Sequence, residues 1–184
     1  MTLPRRTIGD LSVSAVGLGC MPLSFEGMVD ERDRALATIH RALDLGITML
    51  DTSNIYAPTW DSVGHNEALV AEALRTYSGS ADLTGLLVTT KGGIVRGEGE
   101  TWGRDSHEDA LRRACEDSLA QLGVEVIALY PHHRTDPTMT FAEQMAVMGR
   151  LKADGLILRI GLSNIDRAEL DLAVEMLGAP SEGG

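Results

Sequence analysis

Cysteine is scarce in this chain: Cys20 and Cys115 are the two among 184 residues. Two thiols so far apart build neither a disulfide framework nor a zinc ribbon, and no C-x-x-C pair occurs. That usage suits a reducing cytoplasm. Basic residues are also in deficit. Lys and Arg total 16 against 27 Asp and Glu, a formal net charge of −11. Such a balance argues against nucleic acid or an anionic membrane surface as partner and favours a small-molecule ligand. No apolar run approaches the roughly 18 residues of a membrane-spanning helix. The opening MTLPRRTIGD lacks the apolar core of a signal peptide, so neither export nor membrane insertion is expected. What is present is ordinary for a single globular domain that buries a core: 43% hydrophobic and 23% charged residues.

The first 16 residues contain two short alternating segments about Gly9-Asp10, which predicts a small N-terminal hairpin that caps the main fold. From Gly17 onward short apolar runs alternate with longer helical patterns, the signature of βαβ units with parallel strands. The strand candidates are Val16–Met21, Thr48–Asp51, Leu86–Thr90, Val126–Tyr130 and Leu158–Leu162, short and apolar enough to be buried on both faces. Helix ends are signalled between them. Asp30 with Asp33 opens one helix that closes at Gly46, Ser106 with Asp109 opens another that closes at Gly123, and Thr140 with Glu143 opens a third before Gly155. Ser62 to Thr76 and Asp166 to Leu177 supply the remaining two, the latter ending at Gly178. Five β/α units therefore fill residues 17–178, with residues 179–184 as a polar tail.

Five such units suit either an open doubly wound sheet or part of a closed barrel. A dinucleotide-binding doubly wound fold needs a G-x-G-x-x-G turn after its first strand. Here Gly17-Leu18-Gly19-Cys20-Met21-Pro22 lacks the third glycine and sets a helix-breaking proline where the phosphate-binding helix would begin. A barrel instead collects its reactive residues just past the C-terminal ends of the strands. The strand ends supply them: Asp51 and Tyr56 after the second, Lys91 after the third, His132 and His133 after the fourth, Ser163 and Asn164 after the fifth. Taken singly, each also suits a structural role: Asp51 as an Asx turn, Tyr56 as a packed aromatic, Lys91 as a solvated charge, His133 as a member of an ion-pair cluster with Arg134 and Asp136. Adjacent histidines on an extended segment point opposite ways, so no metal site is expected from them.

Taken together these residues resemble the aldo-keto reductase family. Leu50-Asp51-Thr52-Ser53-Asn54-Ile55-Tyr56 is similar to its D-T-x-x-x-Y segment, and Val88-Thr89-Thr90-Lys91 to its strand-three T-K. Leu129-Tyr130-Pro131-His132-His133-Arg134-Thr135-Asp136-Pro137 is similar to L-Y-x-x-H-R-x-D-P, which makes His133 the catalytic match. Ile160-Gly161-Leu162-Ser163-Asn164 resembles the I-G-x-S-N that holds the nicotinamide carboxamide, and Gly17-Leu18-Gly19-Cys20-Met21 the strand that runs beneath the cofactor. The resemblance implies an incomplete (β/α)₈ TIM barrel in the α/β class. It implies catalytic residues Asp51, Tyr56, Lys91 and His133, cofactor contacts from Cys20, Met21, Asp51, Ser163 and Asn164, and NADPH as the reductant of an aldehyde or ketone. In that scheme Tyr56 donates the proton, Lys91 supports the phenolate, Asp51 fixes Lys91, and His133 orients the carbonyl oxygen.

Three features depart from the family pattern. Ala57-Pro58 follows the tyrosine where a glycine is common, and Leu156-Ile157-Leu158-Arg159 replaces a more basic stretch. Closing an eight-stranded barrel needs three further units, roughly 100 residues, which bind most of the nucleotide in the family. Unpaired strand edges then expose the chain to self-association. An inert or truncated fragment and a cofactor-sensing or scaffold subunit, as in potassium-channel β-subunits, stand as alternatives to the reductase. Trp60 and Trp102 are expected in loops on the substrate side.

Overall fold

The computed structural model describes residues 3–25 and 27–180. An antiparallel hairpin comes first, β1 (Arg5–Ile8) with β2 (Leu11–Ser14), turning at Gly9-Asp10. Ser14 and Thr48 exchange side-chain to backbone hydrogen bonds of 2.8 and 2.9 Å, and Val13 packs with Leu87 and Leu129. The hairpin thereby closes the N-terminal end of the strands, opposite the end that carries Asp51 and Lys91.

Five parallel strands follow in the order β3 (Leu18–Gly19), β4 (Met49–Asp51), β5 (Leu87–Thr89), β8 (Tyr130–His132) and β9 (Ile160–Leu162). Single bridges Thr89↔Leu129 and Gly92↔His132 join β5 to β8. Helices α1 (Arg32–Asp44), α2 (His65–Thr76), α3 (Glu108–Leu122), α4 (Phe141–Ala153) and α5 (Arg167–Leu177) each follow a strand and pack against the next helix in turn. Sequential strands side by side, each covered by its own helix, make an arc of a (β/α)₈ barrel rather than a sheet that reverses its strand order. Among the described residues no helix is long and apolar enough to cross a membrane.

The helices form because their apolar positions recur on one face. Ala35, Ile39 and Leu43 of α1 join Leu69, Val70 and Ala73 of α2 over Leu50. A second cluster unites Leu111 and Cys115 of α3 with Met145, Met148 and Leu151 of α4 around Tyr130, Ile127 and Ile157. Each large apolar side chain so buried contributes about 1.5–3 kcal/mol. Capping boxes open the helices expected to start at Thr140 and Asp166. Thr140 and Glu143 cap the start of α4 with bonds of 3.3 and 2.8 Å, and Asp166 and Glu169 cap the start of α5 with 2.9 and 2.8 Å.

Several expectations need correction. Asp30 does not cap α1; Glu31 holds that position without a side-chain bond. Ser106 does not cap α3 either, because its hydroxyl is buried 2.8 Å from His132 Nε2 and its N–H donates to Asp136 at 3.0 Å. His107 takes the cap position. α2 starts at His65, after a 3₁₀ turn at Trp60–Ser62 that the local pattern does not announce. The fourth strand pairs regularly over Tyr130–His132, not Val126–Tyr130, since Ile127 and Leu129 make only isolated bridges. His132 therefore ends a strand instead of following it. An unanticipated hairpin, β6 (Ile94–Gly97) with β7 (Thr101–Arg104), stands between β5 and α3 and carries Trp102 on a strand. Of the tail expected at 179–184, residues 181–184 lie outside the described residues.

Candidate active site

Three successive strand ends bring four side chains together. β4 ends at Asp51, and the buried turn Thr52–Ala57 carries Tyr56 back over the next strand end. Lys91 leaves β5 two residues past Thr89, and His133 follows β8 directly. The Lys91 ammonium lies 2.8 Å from Asp51 Oδ1, 2.7 Å from the Thr52 carbonyl and 3.4 Å from the Tyr56 hydroxyl. The Tyr56 and His133 rings meet edge to face, their centroids 5.9 Å apart. Lys91 is 7% exposed, Tyr56 and His133 8% each. An ammonium so buried needs both its carboxylate partner and further acceptors, and it has them.

Backbone bonds lock these ends to one another. His133 N–H donates to the Gly92 carbonyl at 2.8 Å, and Asn164 Nδ2 donates to the His133 carbonyl at 3.0 Å. Gly92 is required at its position, because a Cβ there would stand 2.1 Å from the Tyr130 hydroxyl oxygen. Asn164 holds φ +56, a left-handed conformation that asparagine tolerates better than most residues. Burial chiefly, then the charges of Lys91 and Arg134, push the His133 imidazole down to about 4, so it is neutral at neutral pH. His132 is likewise pushed down to about 4 by burial. The two rings diverge as the extended backbone requires: His132 toward Ser106 beneath the β6–β7 hairpin, His133 toward Tyr56 and Ser53.

The structure thus brings together Asp51, Tyr56, Lys91 and His133, with Ser163 and Asn164 on the adjoining strand end. Asn164 is exposed and Ser163 partly so, and their side chains share a 2.9 Å hydrogen bond. Ser163 retains an O–H to donate, and among the described residues Asn164 Oδ1 accepts only from Arg134, at 3.5 Å. One donor and one acceptor side by side suit a primary carboxamide. Cys20 does not join them. Its side chain is fully buried with Leu23, Ile39 and Leu50, and burial pushes its thiol up to about 12. Met21 beside it is 46% exposed and available to a ligand.

Sequence reasoning overlooked three contributors. Ser53 lies 3.3 Å from His133 Nδ1, the Thr52 carbonyl receives Lys91, and Asn66 ties Thr52, Ser24 and the Cys20 carbonyl into one buried network. Ser53 and Thr52 stand inside the D-T-x-x-x-Y segment, so the string held that signal. Asp105, His107 and Asp136 bring their ligand atoms within 4.8 Å of one another. Asp136, however, already accepts from Ser106 N–H, Thr138 N–H and the Thr138 hydroxyl, which marks it as a loop anchor.

The arrangement, a phenol beside a buried ammonium and an edge-on neutral imidazole at the strand ends of a barrel, agrees with what comparison with known proteins finds. Residues 15–180 match the model of the Aldo/keto reductase family, and the chain belongs to that family. An uncharacterized oxidoreductase of Schizosaccharomyces pombe is 33% identical over 161 residues, 86% of this chain and 49% of that protein. Among solved structures, the holo form of an aldo-keto reductase from Bacillus halodurans superposes with a TM-score of 0.77 at 28% identity, covering 95% of this chain and 54% of that one. A glycerol dehydrogenase from Gluconobacter oxydans gives 0.77 at 32%, covering 94% and 51%. The chain spans about half the length of the relatives it matches, and its arc is an incomplete barrel of the aldo-keto reductase type.

Proposed function

We propose that this chain carries the proton-transfer half of an NADPH-dependent reductase that converts an aldehyde or ketone to an alcohol, working in the cytoplasm. The carrying observation is the convergence of Tyr56, Lys91 and Asp51, with 3.4 Å from phenol to ammonium and 2.8 Å from ammonium to carboxylate. The family uses nicotinamide cofactors, and a bound reduced nicotinamide supplies the hydride. Ser163 and Asn164 would hold its carboxamide, and the exposed Met21 would be available to contact it. The chain's own residues then handle the oxygen.

Hydride arrival leaves negative charge on the carbonyl oxygen, which a donor must neutralise as it forms. Tyr56 gives its hydroxyl proton to that oxygen. The Lys91 ammonium stabilises the tyrosinate left behind, and Asp51 keeps Lys91 in place. His133 is uncharged and acts as an orienting donor, not as the acid: with Nδ1 accepting from Ser53, Nε2 carries the proton that points the substrate oxygen toward Tyr56.

The test is titration of the purified chain with NADPH, followed by aldehyde-dependent oxidation of the bound reductant. Because the outer edges of β3 and β9 have no strand partner among the described residues, the chain is expected to self-associate through them, and the titration is repeated across protein concentrations. The reading requires saturable binding, and a Tyr56→Phe chain that keeps it while losing turnover roughly 100- to 10,000-fold. Binding without turnover in the parent chain would transfer the site to a cofactor-sensing role. Absence of binding at every concentration would refute the reading for this polypeptide.

A further inference from the structure

The β6–β7 hairpin reaches back to the segment that carries Tyr56, and Arg96 makes the connection to the residues on either side of it. Arg96 of β6 donates from Nη1 to the Ala57 carbonyl at 2.6 Å and to the Ile55 carbonyl at 3.3 Å, the two carbonyls on either side of Tyr56. Its Nη2 pairs with the Glu100 carboxylate, whose other oxygen accepts the Trp60 N–H at 2.9 Å. The guanidinium carbon lies 4.6 Å from the centre of the Trp102 ring, and the side chain is 3% exposed. One fork thus holds the chain before and after Tyr56, and its carboxylate partner holds the turn at Trp60.

We propose that Arg96 is a positioning residue for Tyr56, with Trp102 and Glu100 holding the guanidinium in place. Ile55 and Ala57 are themselves buried, at 4% and 0% exposure, so their carbonyls have little water to fall back on if Arg96 is lost. The peptide units around Tyr56 then rotate toward other donors, and the phenol swings away from Lys91. The planar fork serves the two carbonyls from Nη1 and Glu100 from Nη2 at the same time while its face lies on Trp102, a combination that a point-charge ammonium does not reproduce, so lysine does not replace it. Pro58 carries no N–H with which the following peptide could tie this stretch down. The importance of Arg96 for chemistry rests on the reading of Tyr56 as the proton donor.

The test separates position from chemistry. The chain has three tyrosines, Tyr56, Tyr77 and Tyr130, so 3-fluorotyrosine labelling gives three fluorine resonances, and the one missing from Tyr56→Phe is assigned. In Arg96→Lys the Tyr56 resonance shifts or broadens while those of Tyr77 and Tyr130 stay in place. Glu100→Gln, which leaves the fork intact but loosens it, moves the Tyr56 resonance part of the way. In carbonyl reduction kcat falls roughly 10- to 100-fold, with KM changing less than about twofold. A Tyr56 resonance unmoved in both variants, or three resonances that shift together in both, would overturn the proposal. A Tyr56→Phe chain as active as the parent would instead remove the donor reading and leave the positioning measurement standing.

Discussion

The buried histidine pair makes stability strongly dependent on pH in a window where few other groups titrate. His132 and His133 are both pushed from the usual 6.5 to about 4, burial being the largest cause for each. Between those values the unfolded chain binds protons that the folded chain refuses, so stability is full above about pH 6.5 and falls as pH drops toward 4. A group in mid-window changes stability by about 1.4 kcal/mol per pH unit. From neutral pH to about pH 5 each histidine then costs about 2 kcal/mol, and the pair 3–4 kcal/mol, a sizeable share of the ~5–15 kcal/mol that holds a domain together. The lowered carboxyl groups of Asp10, Asp82, Glu100, Asp136 and Glu143 titrate below this window and add to the loss only at stronger acidity. Glu67 works in the opposite sense, since burial raises its carboxyl. Urea unfolding of the parent, His132→Gln, His133→Asn and the double variant, at steps from neutral pH to about pH 5, measures the slope. Each single variant is expected to remove a similar share of it, with His65, which burial also lowers, supplying the remainder. A double variant that keeps the parental slope would show that neither imidazole is held neutral, and the role given to His133 as an uncharged orienting donor would go with it.

Two further outcomes follow from buried groups. Glu67 is fully buried, one oxygen receiving the Thr90 hydroxyl and the other without a hydrogen-bond partner among the described residues. Its contribution is present at low pH and lost as pH rises through its raised value, so Glu67→Gln should match the parent in acid and exceed it in stability at alkaline pH. Glu67→Ala, which strands Thr90, should lose about 1–3 kcal/mol throughout; urea midpoints across pH distinguish the two, and a Gln variant weaker than the parent at alkaline pH would contradict the assignment. Cys20 and Cys115 are fully buried, and both thiols are pushed up to about 12. They should resist thiol reagents under native conditions and react on unfolding, and rapid labelling of the folded chain would show that its core opens more readily than the packing implies.

The parts of the fold that were readable in sequence are those set by short-range physics. Thr140 with Glu143 and Asp166 with Glu169 satisfy orphan N–H groups within their own first turn, so four residues suffice to read them. Ser106 with Asp109 carries much the same string and fails, because the Ser106 hydroxyl is taken by His132 from another part of the chain. No local pattern announces that competition. Alternation of short apolar runs with amphipathic stretches revealed the β/α units for the same reason, and it missed the β6–β7 hairpin because its residues are largely exposed: Thr101 to Arg104 all lie at the surface. A strand that buries nothing carries no hydrophobic period.

The site divides along the same line. Barrel geometry delivers consecutive strand ends to one rim, so the strand ends offered Asp51, Tyr56, Lys91, His132, His133, Ser163 and Asn164 as candidates. The resemblance to aldo-keto reductases singled out Asp51, Tyr56, Lys91 and His133 among them before any distance was known. What the strings cannot hold is the support for those residues, which runs through backbone atoms. His133 is fixed by the Gly92 carbonyl and the Asn164 amide, and Tyr56 by the carbonyls that Arg96 grips. A carbonyl looks the same under every side chain, so the partner of such a bond leaves no mark in the segment it supports. Arg96 read alone is one of 16 basic residues in an acidic chain. Only the fold shows that its charge is buried against the carbonyls of the two residues that flank the proposed proton donor, and aim at that scale separates a tyrosine able to transfer a proton from one that is merely nearby.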